Sequence, residues 1–458
     1  MRHVIVMTAT GSIGLIAIFV VDALNLFYIS LLNVQSLTAA VGFAATLLFF
    51  TISVSIGFTI ATGALVSRSL GRGSRDDAAR LAGASLVFMA LITVAISAAL
   101  WPFLREIIAA LGATGATLDQ SVRFLQIVLP STPIVSVGIC TTGILRGTGD
   151  ARRAMYVTLS SGIAAAIFDP ILIFGLRLGL DGAAISTVIS RFVLLGVGIY
   201  GAHYVHHLIA LPNWKRLKAA ARPFFAIGVP AMMTQIATPV GNAFVTAEIA
   251  RFGDGAVAGW AIIGRIVPVA FGVIFALSGA VGPIIGQNFG ARRFDRLAST
   301  VRDSLTVTIV YVLVVWALLA LFAGPIATLF GTTGMARELI IFFCLFVAAS
   351  FLFDGAIFVS SAAFNNLGYA TYSTVFNWGR STLGVIPFAW AGGQYFGAEG
   401  VLAGRGLGAV IFGVASMAVC FRTVAGIARG QGAAEELTAA VPPAANSPFS
   451  TGKASTLQ

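Results

Sequence analysis

Asp22 and Asn25 lie three residues apart in the first apolar run of the chain, so a helix would place them on one face. A carboxylate in hydrocarbon costs about 3 kcal/mol on insertion scales, and more in simulations. It needs a partner, a watery cavity or a proton, and it can then take up and release H+ or Na+. Asp354 poses the same problem: Ser350, Asp354, Ser361 and Asn365 follow one another at helical steps and form a single polar face. Asp169 precedes Pro170 near the end of another apolar run. Gln235, Thr238, Asn242 and Thr246 share a face around Pro239, where proline frees a backbone carbonyl and bends the helix. Together with Ser350 and Ser361 these side chains are candidates for the polar wall of a cavity. Arg265, three residues before Pro268, is a candidate to reach into it and meet Asp354 or Asp22.

The elements that carry these residues must be membrane spans. The 458 residues are 58% hydrophobic and only 10% charged, against about 25% charged in a soluble domain. The apolar runs reach the roughly 20 residues that a helix needs to cross ~30 Å of hydrocarbon, and far exceed a barrel strand. Spans are expected near 4–32, 38–66, 80–104, 120–146, 154–175, 182–208, 221–250, 256–286, 302–330, 337–364, 371–395 and 397–423. The first run is too long for the core of a signal peptide and reads as a retained span. Cys140, Cys344 and Cys420 are scattered inside apolar segments, with no disulfide or metal-ligand spacing. The predicted fold is therefore all-α and polytopic, with about twelve transmembrane helices in two pseudo-symmetric six-helix lobes.

The net charge of +11 follows topology rather than a nucleic-acid partner. Of 28 Lys and Arg, five (Arg105, Arg123, Arg177, Arg251, Arg337) fall in one set of alternate loops, and four (Arg191, Arg265, Arg380, Arg405) inside spans. The other nineteen fall on the opposite side, which predicts cytoplasmic N- and C-termini in a bacterial inner membrane. His203, His206 and His207 read as an interfacial cluster, not a metal site.

An internal repeat divides the chain. SRSLGRGSRDDAARLAGASL at 67–86 matches GQNFGARRFDRLASTVRDSL at 286–305, with Gly71 on Gly290 and Asp76 on Asp295. The same shift puts Gly149 on Gly368 and Gly63 on Gly282. The expected organisation is a lobe at 1–210, a basic cytoplasmic loop at 211–223, a second lobe at 224–425 and a disordered tail at 426–458. Parallel halves of this kind enclose a central site and rock about it.

VVDALNLFYISLL, GALVSRSLGRG, GILRGTGDARRAMY, FDPILIFGLRLGLDGAAIST and GPIIGQNFGARRFDR, in this order, resemble the multidrug and toxic compound extrusion (MATE) family. The resemblance implies a secondary antiporter that exports cationic or amphipathic small molecules in exchange for H+ or Na+. It also implies cation-coupling roles for Asp22, Asp169 and Asp354, and Asn25, on the same face as Asp22, is a candidate to join them. This chain departs from the family pattern in four places. Ala165 stands where an Asn serves the first-lobe site, and Asn365 stands where an Arg closes span ten in one branch. A carboxylate near Thr238 is absent, as is a proline early in span one. No Walker motif or clustered catalytic constellation is present, so no enzyme activity or cofactor is expected. The expected partners are the bilayer and a small-molecule substrate, with the protein acting as a monomer. The rival readings are a major-facilitator-type transporter and a lipid-linked sugar flippase of the same superfamily.

Overall fold

A computed structural model describes residues 4–14, 28 and 35–429. Asp22 and Asn25 lie outside the described residues, as do most of the expected first span and the tail from 430 onward. The described residues form sixteen α-helices and no strand. These are α1 (Val4–Gly14), α2 (Gln35–Gly71), α3 (Arg75–Leu100), α4 (Leu104–Ala110), α5 (Gly115–Val128), α6 (Thr132–Gly147), α7 (Ala151–Pro170) and α8 (Gly179–Ile199). The second half continues with α9 (Trp214–Ala250), α10 (Asp254–Gly290), α11 (Phe294–Leu321), α12 (Ala323–Leu329), α13 (Gly334–Leu345), α14 (Phe351–Leu367), α15 (Ala370–Gly379) and α16 (Ile386–Ala428).

Among the described residues, ten helical segments are apolar and long enough to cross a membrane. The last, Ala370–Ala428, reverses at Gly397, whose φ of +66° only glycine adopts without strain. The two arms then pack so closely that a Cβ at Gly392, Gly404 or Gly408 would overlap the carbonyl of Gly400, Phe388 or Gly384. Spans eleven and twelve are thus one hairpin held by small residues, which is how helices pack where lipid offers no hydrophobic driving force.

Breaks in the spans have local causes. Pro102 and Pro130 sit in single 3-10 turns that join α3 to α4 and α5 to α6. Pro170 ends α7 in a π-helical turn, Ile171–Gly175. Span ten, expected as one helix, is two: α13 and α14 meet at a 3-10 turn, Val347–Ser350, with neither proline nor glycine in it. The inter-lobe loop expected at 211–223 is shorter in the structure. Residues 207–213 are non-helical, and α9 starts at Trp214, where the Asn213 side chain accepts from the Arg216 N–H at 2.9 Å.

Each lobe has apolar clusters of its own, and a shared cluster joins the lobes where α2 meets α9; α10 also packs on α2. Phe224 and Ile227 of α9 pack with Phe58, Ala61 and Leu65 of α2. Gly57 lies against Met232, and Gly228 against Phe58. Many large apolar side chains face outward, among them Leu91, Phe192, Val310 and Val414, as a lipid-facing surface requires.

Candidate functional site

The second lobe holds a buried charge cluster. Asp354, in the first turn of α14, is ion-paired with Arg380 through Oδ1 and the guanidinium Nη1. Both side chains are almost fully enclosed, at 3% and 8% exposure. Arg380 opens a π-helical turn, Arg380–Gly384, the kind of bulge that re-aims a side chain and often marks functional sites. Its Nη2 donates to Thr238 Oγ1 at 2.9 Å. The Arg380 Nε and the Asp354 Oδ2 make no hydrogen bond among the described residues.

A polar seam between α9 and α15 holds Arg380 in place. Trp378 Nε1 donates to the Met233 carbonyl at 3.0 Å, and Thr374 Oγ1 to the Pro230 carbonyl at 2.7 Å. Gly241 lets Ser381 approach closely. The Pro-interrupted α9 therefore does more than supply a wall. Thr238 belongs to the polar face that the sequence singled out, and it is the residue of that face that bonds to the charged pair.

The other anticipated residues divide. Ser350 lies at 8% exposure beside Gly406, and Ser361 accepts from Asn377 Nδ2 at 2.9 Å. Gln235 is half-buried and Asn242 exposed. Asp169 is buried at the end of α7. Arg265 is exposed and is not the partner of Asp354; Arg380 takes that role. The sequence shows Arg380 as an intramembrane arginine but gives no sign of its partner, 26 residues away across a turn.

The four in-span arginines have different surroundings. Arg191 donates to the Val128 carbonyl at 2.9 Å and Ser131 Oγ at 2.8 Å, closing the proline break between α5 and α6. Arg380 has Asp354 and Thr238. Arg265 and Arg405 have no hydrogen bond or ion pair among the described residues. Arg405 lies over the rings of Trp260 and Phe351, 5.9 and 5.7 Å from their centroids.

At the end carrying the basic loops the lobes close on each other. Arg68 at the end of α2 donates through Nε to the Asn366 carbonyl at 2.7 Å and through Nη2 to the Asn365 carbonyl at 2.9 Å. Gln287 Nε2 donates to the Gly147 carbonyl at 2.8 Å. Backbones touch here, since a Cβ at Gly71 or Gly290 would overlap the carbonyl of Gln287 or Arg68. Just beyond lies a cavity of about 620 Å³ bordered by Arg75, His206, Arg293 and Arg296. Asp150, in the turn before α7, accepts from the Arg153 N–H at 3.0 Å, from the Arg153 guanidinium and from His206 Nε2 at 2.9 Å. Burial alone would raise its carboxyl, but these bonds outweigh burial and hold it below the usual carboxylate value.

Two helical lobes with buried charge suit a transporter. The deciding observation is that residues 12–171 and 230–391 each match the MatE family model. The chain belongs to the MatE family. It is a multi-pass membrane protein of this transporter family. A "FAD transporter" of Shewanella oneidensis is 27% identical over 90% of this chain and 93% of its own length. The "Multidrug export protein MepA" of Staphylococcus haemolyticus is 28% identical over 85% and 86%. The Vibrio cholerae MATE transporter VcmN, in the bent form, matches with a TM-score of 0.88 at 23% identity, covering 94% of this chain and 97% of that one. The all-helical, two-lobed architecture read from the sequence is that of the MatE fold.

Proposed function

We propose that this MatE-family protein is a secondary active exporter of amphipathic small molecules, driven by inward movement of H+ or Na+. The observation that carries the reading is Asp354, a buried carboxylate with one oxygen held by Arg380 and the other without a hydrogen bond. A proton or Na+ arriving at Oδ2 weakens the hold on Arg380. Arg380 then redistributes towards Thr238, and the relative energies of the two lobe arrangements change. Such a differential interaction is what a coupled equilibrium needs. The membrane potential supplies about 2.3 kcal/mol per charge per 100 mV.

In this reading the basic-loop end is cytoplasmic, as are both termini. The Arg68 and Gln287 contacts then seal the cytoplasmic side. Asp22, Asn25 and Asp169 form a second coupling site in the first lobe. A single chain carries out the cycle and needs no prosthetic group. The names of the relatives, one a multidrug exporter and one a FAD transporter, support a small-molecule substrate for this chain too.

The test is ethidium efflux from energised, drug-sensitive cells expressing wild type, Asp22→Asn or Asp354→Asn, with Na+ and pH varied independently. Loss of efflux in correctly inserted Asp354→Asn supports the reading, and the ion dependence identifies the coupling cation. Undiminished efflux in both variants overturns the carboxylate mechanism.

A further inference from the structure

Arg405 sits about 12 Å along its helix from the Gly397 turn, within an apolar arm. A guanidinium there has lost much of its water and offers five N–H donors in a rigid plane. No oxygen among the described residues accepts from any of them. Its contacts are aromatic instead: the ring of Trp260 and the ring of Phe351. Each ring is fixed by its own partner. Trp260 Nε1 donates to Thr246 Oγ1 at 2.8 Å, and Phe351 stacks on Phe271 at 4.2 Å with an interplanar angle of 1°. Arg405 is half-buried rather than enclosed. Phe351, over which it lies, stands three residues before Asp354 in α14. Asp354 is already engaged by Arg380, so this part of the lobe holds two guanidiniums for one carboxylate.

From this we infer that Arg405, framed by Trp260 and Phe351, is a binding site for the anionic group of the substrate, a carboxylate or phosphate attached to a flat aromatic body. The inference rests on the transporter reading above and names the substrate class of the same lobe. Planar bidentate donors match carboxylate and phosphate oxygens, while the half-buried Trp260 ring offers an aromatic surface beside them. The polar face of α9 contacts both neighbours of this site: Thr238 holds Arg380 and Thr246 holds Trp260.

The experiment is equilibrium binding to purified full-length protein in nanodiscs, with 1-naphthyl phosphate, 1-naphthoate and ethidium as probes. Wild type is expected to bind both anions at least about tenfold more tightly than ethidium. Arg405→Met should lose about tenfold or more of the anion affinity, the scale of a charge-assisted bond. Arg405→Lys should recover part of it, because charge remains but the planar fork does not. Monodisperse elution and an unchanged far-UV spectrum identify folded variants. If Arg405→Met proves unfolded, the Arg405→Lys protein and the wild-type probe ranking decide the matter. Anion binding no tighter than ethidium binding, or equal in wild type and the Arg405 variants, overturns the proposal. Ion-coupled ethidium efflux alongside such a failure would leave the exporter reading standing. Tight anion binding without any ion-coupled transport would do the reverse.

Discussion

Arg68 and Gln287 are 219 residues apart and occupy the same place in the two halves, and each donates across the seam to the other half. Their acceptors, the carbonyls of Asn366 and Gly147, are themselves 219 residues apart. The closure is thus one contact made twice about a pseudo-two-fold axis, with a charged donor in one copy and a neutral one in the other. An equilibrium between closed and open seams must break both bonds together with the Gly71 and Gly290 backbone contacts.

Gln287→Ala removes a neutral hydrogen bond worth about 1 kcal/mol, so the open-to-closed ratio at this end should rise about fivefold. Arg68→Met removes two bonds from a charged donor, and the shift should be larger. Spin labels at positions 72 and 291, read by pulsed electron resonance, should report a longer-distance population that grows from wild type through Gln287→Ala to Arg68→Met. An unchanged distance distribution in both variants would mean that the seam is held elsewhere.

Removing one partner of a buried ion pair is costlier than removing both. Arg380→Met should destabilise the protein by about 3–5 kcal/mol, because it strands the Asp354 carboxylate. Asp354→Asn combined with Arg380→Met should regain much of that stability while remaining unable to couple efflux to an ion gradient. Thermal unfolding in detergent measures the first effect and vesicle efflux the second. Additive losses in the double variant would show that the pair is not coupled.

Acid sensitivity should appear at Asp150. Its carboxyl is held below its ordinary value, so its contribution is complete above the unfolded pKa of about 3.9 and is lost as pH falls through the lower folded value. A partly exposed pair of this kind contributes about 1 kcal/mol or less. The difference in melting temperature between wild type and Asp150→Asn should be constant above about pH 5 and shrink at lower pH. A difference that grows on acidification contradicts the assignment.

The hairpin glycines should tolerate no side chain. Gly408→Val forces the two arms apart at the Gly384 carbonyl and should cost about 3 kcal/mol or more. Gly324, in α12, has open space around it, and Gly324→Ala should be nearly neutral. Folded yield from membranes and thermal unfolding give the comparison. Equal tolerance at the two positions would refute the close packing.

The sequence was informative wherever solvent decided the structure. Apolar runs located the spans because backbone bonds in hydrocarbon must be satisfied within each helix, and the repeat located the halves. The buried acid at 354 was equally visible, since its cost requires a role. Its partner was not. Four arginines lie in spans, and nothing in their spacing separates Arg380, which meets Asp354, from Arg265, which was the sequence's candidate. That choice depends on how α15 lies against α9, through Thr374 and Pro230, Trp378 and Met233, Gly241 and Ser381. The break before α14 was hidden for a similar reason: no proline or glycine marks it. Arg405 drew notice only as a topological exception, because an aromatic frame built from two other helices leaves no trace in one stretch of chain.

The hairpin at Gly397 carries Arg380 near one arm and Arg405 on the other. Because small residues lock those arms together, the backbones that bear the two arginines keep a fixed separation while their side chains can still turn. A substrate anion bound at Arg405, as we propose, would then sit at a set distance from the stretch of chain that carries Arg380, and any swing of Arg380 on release of Asp354 would be measured against an unmoving arm.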